Sequence, residues 1–201
     1  MQPTYGITNE SRRLLEEAMK GGLRGRFRAV AYAPCRHASH HGRQCKCKKK
    51  MLGVREGTTN LLTNVFANFF RAAILGTTTT IPDTSNTGRS ITKTVDGGIA
   101  SLAMHAGTTA TAATVADYKL GTTTENQVSV TVNAVSGTGS SGTFTVTATI
   151  TAGADRAYVE CGLYIVTTTT GWIFCIAHDT FAALNVSNTG TLAVTYTFTN
   201  S

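Results

Sequence analysis

Hydrophobic positions along the chain change their period several times, and those changes divide it. Residues 8–22 place Leu14, Leu15, Ala18 and Met19 on one stripe, with Thr8 or Asn9 ahead as a cap and Gly21-Gly22 behind as a stop. That pattern predicts a short helix. From Leu23 to Tyr32, Arg24, Arg26 and Arg28 alternate against Leu23, Phe27 and Val30, as in an extended strand or arm with a basic edge. Residues 34–50 carry no hydrophobic period and read as a loop. Residues 60–75 return to helical spacing. Leu61, Leu62, Val65, Phe66, Phe69, Phe70, Ala73 and Ile74 build a broad apolar face, with Thr58 or Thr59 as the expected cap and Gly76 as the stop. A helix this apolar must lie against a sheet or another subunit, and Phe66, Phe69 and Phe70 are read as packing on the chain's own sheet.

Residues 77–98, rich in Thr, Gly, Asn and Asp, read as a loop. Beyond them the period becomes two. Strands are expected at about 99–105, 127–135, 143–151, 158–166, 171–178 and 191–199. The last is plainest: Leu192, Val194, Tyr196 and Phe198 point one way, and Thr191, Thr195, Thr197 and Thr199 the other. Gly137 to Gly142 and Thr167 to Gly171 read as hairpin connections. The expected fold is mainly β: an antiparallel β-sandwich of about six strands with one packing α-helix and an N-terminal helical and extended arm. The expected division is a basic arm with a Cys/His loop over 1–56, then a Thr-rich β-domain over 57–201 led by the helix at 60–75.

Composition sharpens that division. The chain has 201 residues, 41% of them apolar, enough for one sizeable β-domain plus an extension. Residues 1–71 hold 14 of the 18 Lys and Arg but 4 of the 11 acidic residues. The excess of positive charge therefore sits at the N-terminal end, and it calls for an acidic partner: nucleic acid, or an acidic surface on a neighbouring subunit. Residues 72–201 are about a quarter threonine, 32 of 130. Threonine favours strands and keeps a wet face soluble with little charge, which suits lateral packing on identical neighbours. Met1 to Glu10 lack an apolar leader segment, and no apolar run approaches the ~18 residues of a membrane span. The expectation is synthesis in the cytoplasm with no membrane partner. Five cysteines, an odd number, argue against a fully paired disulfide framework.

The order of segments over about 57–201 carries a resemblance. A Thr-Asn-Leu-Leu helix and a strand are followed by Gly107-Thr-Thr-Ala-Thr-Ala-Ala-Thr-Val-Ala-Asp-Tyr-Lys-Leu-Gly-Thr122. Then come Gly142-Thr-Phe-Thr-Val-Thr-Ala-Thr-Ile150, Ala157-Tyr-Val-Glu-Cys-Gly-Leu-Tyr-Ile165 and Leu192-Ala-Val-Thr-Tyr-Thr-Phe-Thr199. This resembles small tailed-phage virion structural proteins of the tail, fibre or minor virion type. His105-Ala-Gly107 stands where that group usually has Gly-Thr-Gly, Cys161 replaces its Ala, and residues 23–50 have no counterpart in it. The resemblance implies a non-catalytic virion component, made in the host cytoplasm, that forms homo-oligomers and contacts other virion proteins.

Candidate chemistry is sparse. Cys35, His37, Cys45 and Cys47, with His40 and His41 between them, are zinc-ligand types within 13 residues. Their spacing is not the usual paired knuckle, and a Cys-x-Cys pair needs a turn to chelate. The expectation is structural zinc or no cofactor, the bland alternative being a basic loop with incidental thiols. Metal-free protein with intact thiols on elemental analysis would rule zinc out. The basic set Arg24, Arg26, Arg28, Arg36, Arg43, Lys46, Lys48, Lys49 and Lys50 offers phosphate contacts, or docks on a neighbouring subunit. Only Phe27 and Tyr32 interleave, so base stacking is not indicated, and docking is favoured over nucleic acid. Cys161 and Cys175 fall in neighbouring expected strands among apolar residues and are expected as packed thiols. His178 and Asp179 are adjacent on a strand, point apart and cannot form a dyad. With no nucleophile elbow, carboxylate pair, phosphate loop or dinucleotide fingerprint, no catalytic residue and no small-molecule substrate are expected. The oligomer interface is not readable from the sequence.

Overall fold

The computed structural model describes residues 24–34, 50–57, 61–75, 78–92, 99–109, 111–124, 127–137, 142–168 and 170–200. The expected helix at 8–22 lies outside them. The described chain is mainly β, and every strand pairing in it is antiparallel. In chain order the strands are β1 (Arg24–Tyr32), β2 (Met51–Gly57), β3 (Leu61–Leu62), β4 (Thr79–Pro82), β5 (Gly88–Ile91) and β6 (Ile99–Gly107). They continue as β7 (Val128–Ser129), β8 (Thr131–Val132), β9 (Gly142–Thr151), β10 (Arg156–Thr167), β11 (Ile173–Val186) and β12 (Thr191–Asn200). One helix, α1 (Asn64–Leu75), follows β3.

Two five-stranded sheets result. The first runs β2-β1-β12-β9-β8 and the second β3-β11-β10-β6-β7, with β4-β5 as a separate hairpin. Alternation decides which side chains meet. Phe27, Ala29 and Ala31 of β1, Val146, Ala148 and Ile150 of β9, and Leu192, Val194, Tyr196 and Phe198 of β12 turn inward from the first sheet. Met104, Ala106, Cys161, Leu163, Ile165, Phe174 and Ile176 meet them from the second, in the same apolar cluster. The Tyr196 hydroxyl finds a partner in the Cys161 carbonyl at 3.3 Å, as a fully buried phenol requires. Full burial of side chains this large stabilises by about 1.5–3 kcal/mol each before entropy is charged.

All six strands expected from the period-two pattern are present, with 127–135 broken into β7 and β8. These two lie either side of Val130, and one joins each sheet, so a single stretch of chain ties both sheets together at one edge. Three expectations are corrected. Residues 24–32 and 51–57 do not stand off as an arm: β1 lies between β12 and β2, in register with β12 from Arg24↔Thr199 to Tyr32↔Thr191. Its alternating apolar residues fill the core, which makes it an interior strand. The stretch at 77–98 is not all loop, since β4 and β5 pair across it. Asp83 closes their turn by accepting the Ser85 and Thr87 amides at 2.9 and 3.0 Å. The helix begins later than expected, at Asn64, and its cap is Thr63 rather than Thr58 or Thr59. The Thr63 hydroxyl accepts the Phe66 amide and donates to the Cys175 carbonyl at 2.7 Å. Phe69 packs on Phe174 with centroids 5.9 Å apart, and Phe66 lies against the same cluster, as expected of that face.

Candidate functional site

Two features draw notice: a polar cluster buried beneath a loop, and the outer face of the first sheet. The cluster begins with Glu160 on β10. It is a carboxylate fully buried within a mostly apolar strand, a placement that demands partners. A register irregularity between Tyr158 and Glu160, and another between Leu163 and Tyr164, set which side chains share the outer side of the second sheet. Gly162 pairs with His178 in that register, so His178 lies diagonal to Glu160.

Residues 111–124 pass over this side as a strap. His178 Nε2 lies 3.0 Å from Glu160 Oε2, and His178 Nδ1 lies 2.6 Å from Asp117 Oδ2. The two oxygens of Glu160 also accept the Gly121 and Thr122 amides at 3.1 and 3.0 Å. Asp117 accepts the Thr114 amide and hydroxyl, each at 2.7 Å. The Leu120 amide donates to the Tyr164 hydroxyl at 2.9 Å, while the Leu120 side chain packs against Ala103, Tyr164 and Cys175. The Asn64 amide at the start of α1 binds the Val115 carbonyl at 2.7 Å.

Two glycines make room for the strap. A Cβ on Gly107 would collide with the Thr122 carbonyl oxygen and the Glu160 carboxylate, and one on Gly162 would meet Leu120 at 2.9 Å. Burial tends to raise the Asp117 carboxyl, but hydrogen bonds from Thr114 and His178 outweigh it and hold the group below the usual carboxylate range. Both ring nitrogens of His178 are committed to carboxylates, so the ring has no free position for a substrate proton in this arrangement. The cluster therefore clamps a loop to a sheet. The carboxylates that His178 meets come from 18 and 61 residues away. The isolated Glu160 in Tyr158-Val-Glu-Cys-Gly-Leu-Tyr164 was the signal in the sequence that could have pointed to it.

The first sheet's outer face is built by the residues between the core positions. Cross-strand register sets Thr143 beside Thr199, Thr145 beside Thr197, Thr147 beside Thr195 and Thr151 beside Thr191. On β1 the same rows continue as Arg24, Arg26 and Arg28, opposite Thr199, Thr197 and Thr195. Arg26 and Arg28 are exposed, and Arg28 pairs with Glu56 at 2.9 Å. Both partners of that pair are wet, so it contributes little. Lys50 is exposed just before β2. Thus three of the basic residues singled out in the sequence align on one strand. Arg36, Arg43, Lys46, Lys48 and Lys49 lie outside the described residues, as do the zinc candidates Cys35, His37, Cys45 and Cys47 with His40 and His41. Among the described residues no group of three or more His, Cys, Asp or Glu is placed to hold a metal.

Cys161 and Cys175 are buried free thiols. Cys161 faces the main core, 3.3 Å from the Tyr196 hydroxyl, while Cys175 belongs to the small cluster under the strap. Burial pushes both thiols up, Cys175 to about 12, so neither is a ready nucleophile. No described helix is long and apolar enough to cross a membrane. Compared with protein-family models, curated proteins and solved structures, the chain matches none.

Proposed function

We propose that the chain is a non-enzymatic structural subunit of a tailed-phage-like particle, acting by self-assembly with its own copies and other virion proteins. The observation that supports it most is the first sheet's outer face, where paired threonines form a wide uncharged surface on a stiff β framework. Such a surface can pack laterally at little desolvation cost from charges. In this proposal the two sheets act as a sandwich, with more strands than the six expected because β1 and β2 join it. The buried Glu160–His178–Asp117 cluster serves stability, and the protein resides in the virion after synthesis in the host cytoplasm. Electron microscopy of nuclease-treated protein tests this: rings, tubes or shells are expected, and uniformly monomeric particles would count against it.

A second reading has one observation in its favour. Arg24, Arg26 and Arg28 recur every second residue on β1, a spacing of roughly 6.8 Å between successive positions, which suits contact with successive phosphates of a nucleic acid. Retention on DNA or RNA that falls steeply with salt, and is lost in Arg26→Ala with Arg28→Ala, would favour it.

A further inference from the structure

We infer that two copies of the chain join edge to edge through residues 128–136, the stretch of β7 and β8 that belongs to both sheets. This rests on the self-assembly proposed above and adds an edge contact to the packing of its threonine face.

β8 ends the first sheet and β7 ends the second. On the inner side β8 pairs with β9, through Thr131↔Thr147 and Val132↔Val146. The Asn133 amide continues that pairing to the Thr145 carbonyl at 2.9 Å, and Ser136 and Thr143 exchange both their backbone bonds. Antiparallel alternation then turns the N–H and C=O of Val132 and Ala134 away from β9, toward solvent. The side chains agree: Val132 is 54% exposed and Val135 72%.

Apart from the shortness of the edge strands themselves, two residues each in β7 and β8, sheet edges are normally guarded by charge, proline or a covering element. Between Glu125 and Asp155 there is no Asp, Glu, Lys, Arg or Pro. The opposite edge of the first sheet is guarded: β2 carries Arg55 and Glu56, and Arg55 reaches the Ala182 and Ala183 carbonyls of β11 at 3.1 and 3.3 Å. The unguarded stretch, Val128-Ser-Val-Thr-Val-Asn-Ala-Val135, is β-prone and neutral, the kind of segment that pairs with itself.

Charge selects a second copy as its occupant. The chain carries a net +7, so copies repel one another and approach at least cost where the surface is neutral. A partner chosen by opposite charge finds nothing to grip here. Two copies related by a two-fold axis lay this strand antiparallel to itself, and each outward donor meets an outward acceptor.

The test uses the full chain. Val132→Lys with Val135→Lys places two charges on exposed positions, and Val132→Thr with Val135→Thr keeps the edge neutral. Molar mass by light scattering is expected to fall at least two-fold for the Lys pair and to stay at the wild-type value for the Thr pair. Without any variant, amide exchange of the wild type at 128–136 is expected to quicken on dilution as the oligomer dissociates. An oligomeric wild type whose mass survives the Lys pair, or whose exchange at 128–136 ignores dissociation, overturns the edge while leaving self-assembly in place. A wild type of monomer mass at every concentration overturns both.

Discussion

His178 shows how a residue can matter through the groups it joins. It sits between two carboxylates, 3.0 Å from Glu160 and 2.6 Å from Asp117. Replacing it with alanine leaves Glu160 buried with the Gly121 and Thr122 amides as its donors. Removing one hydrogen-bond partner of a buried acceptor costs about 1–3 kcal/mol, and His178→Ala is expected to fall in that range in denaturant titrations. Asp117 adds a pH dependence of definite sign. Its carboxyl lies below its ordinary value in the folded chain, so its contribution is present above that ordinary value, near 3.8. It is lost as pH falls through the lower folded value. Amide exchange in 111–124 should therefore rise below about pH 4, ahead of exchange in β12. Cys161 and Cys175 make a third case. Buried and held as thiols, they should resist alkylation in the native protein and react on unfolding, as peptide mapping would show. Little of this residue-level chemistry was legible in the sequence. Adjacency drew attention to His178 with Asp179, whereas the true partners depend on cross-strand register and on a loop folding back over the sheet.

The strap is an element defined by what it covers. Its hold depends on Gly107 and Gly162, whose missing side chains leave space for Thr122, Glu160 and Leu120. Gly107→Ala should cost about 1–3 kcal/mol, the usual range for overpacking a tight site, with exchange increasing first in 111–124. Elements with a strong local period were legible in the sequence: the strands at 143–151, 158–166 and 191–199 appear close to the expected bounds. The helix start slipped because Leu61 and Leu62 fit either period, and pairing with His178 and Ala177 drew them into β3. The hairpin at 79–91 was missed because Asp83, Asn86 and Gly88 signal a turn more loudly than its four-residue strands signal a sheet.

At the scale of the molecule, the basic excess misled the division of the chain. Arg24, Arg26 and Arg28 look like an arm, yet Phe27 between them belongs to the core, and their partner strand β12 begins more than 150 residues later. Alternation identifies a strand but not its neighbours. The folded chain carries an uncharged threonine face, a basic row beside it and a neutral edge shared by both sheets, features that suit association of like copies. The most direct test is the molar mass of nuclease-treated protein by size-exclusion chromatography with light scattering, measured across a dilution series. A defined multiple of the chain mass, free of nucleic acid, is the result expected of a self-assembling subunit. A monomer throughout, growing only when nucleic acid is added back, would contradict that account and favour the basic row of β1 as the working surface.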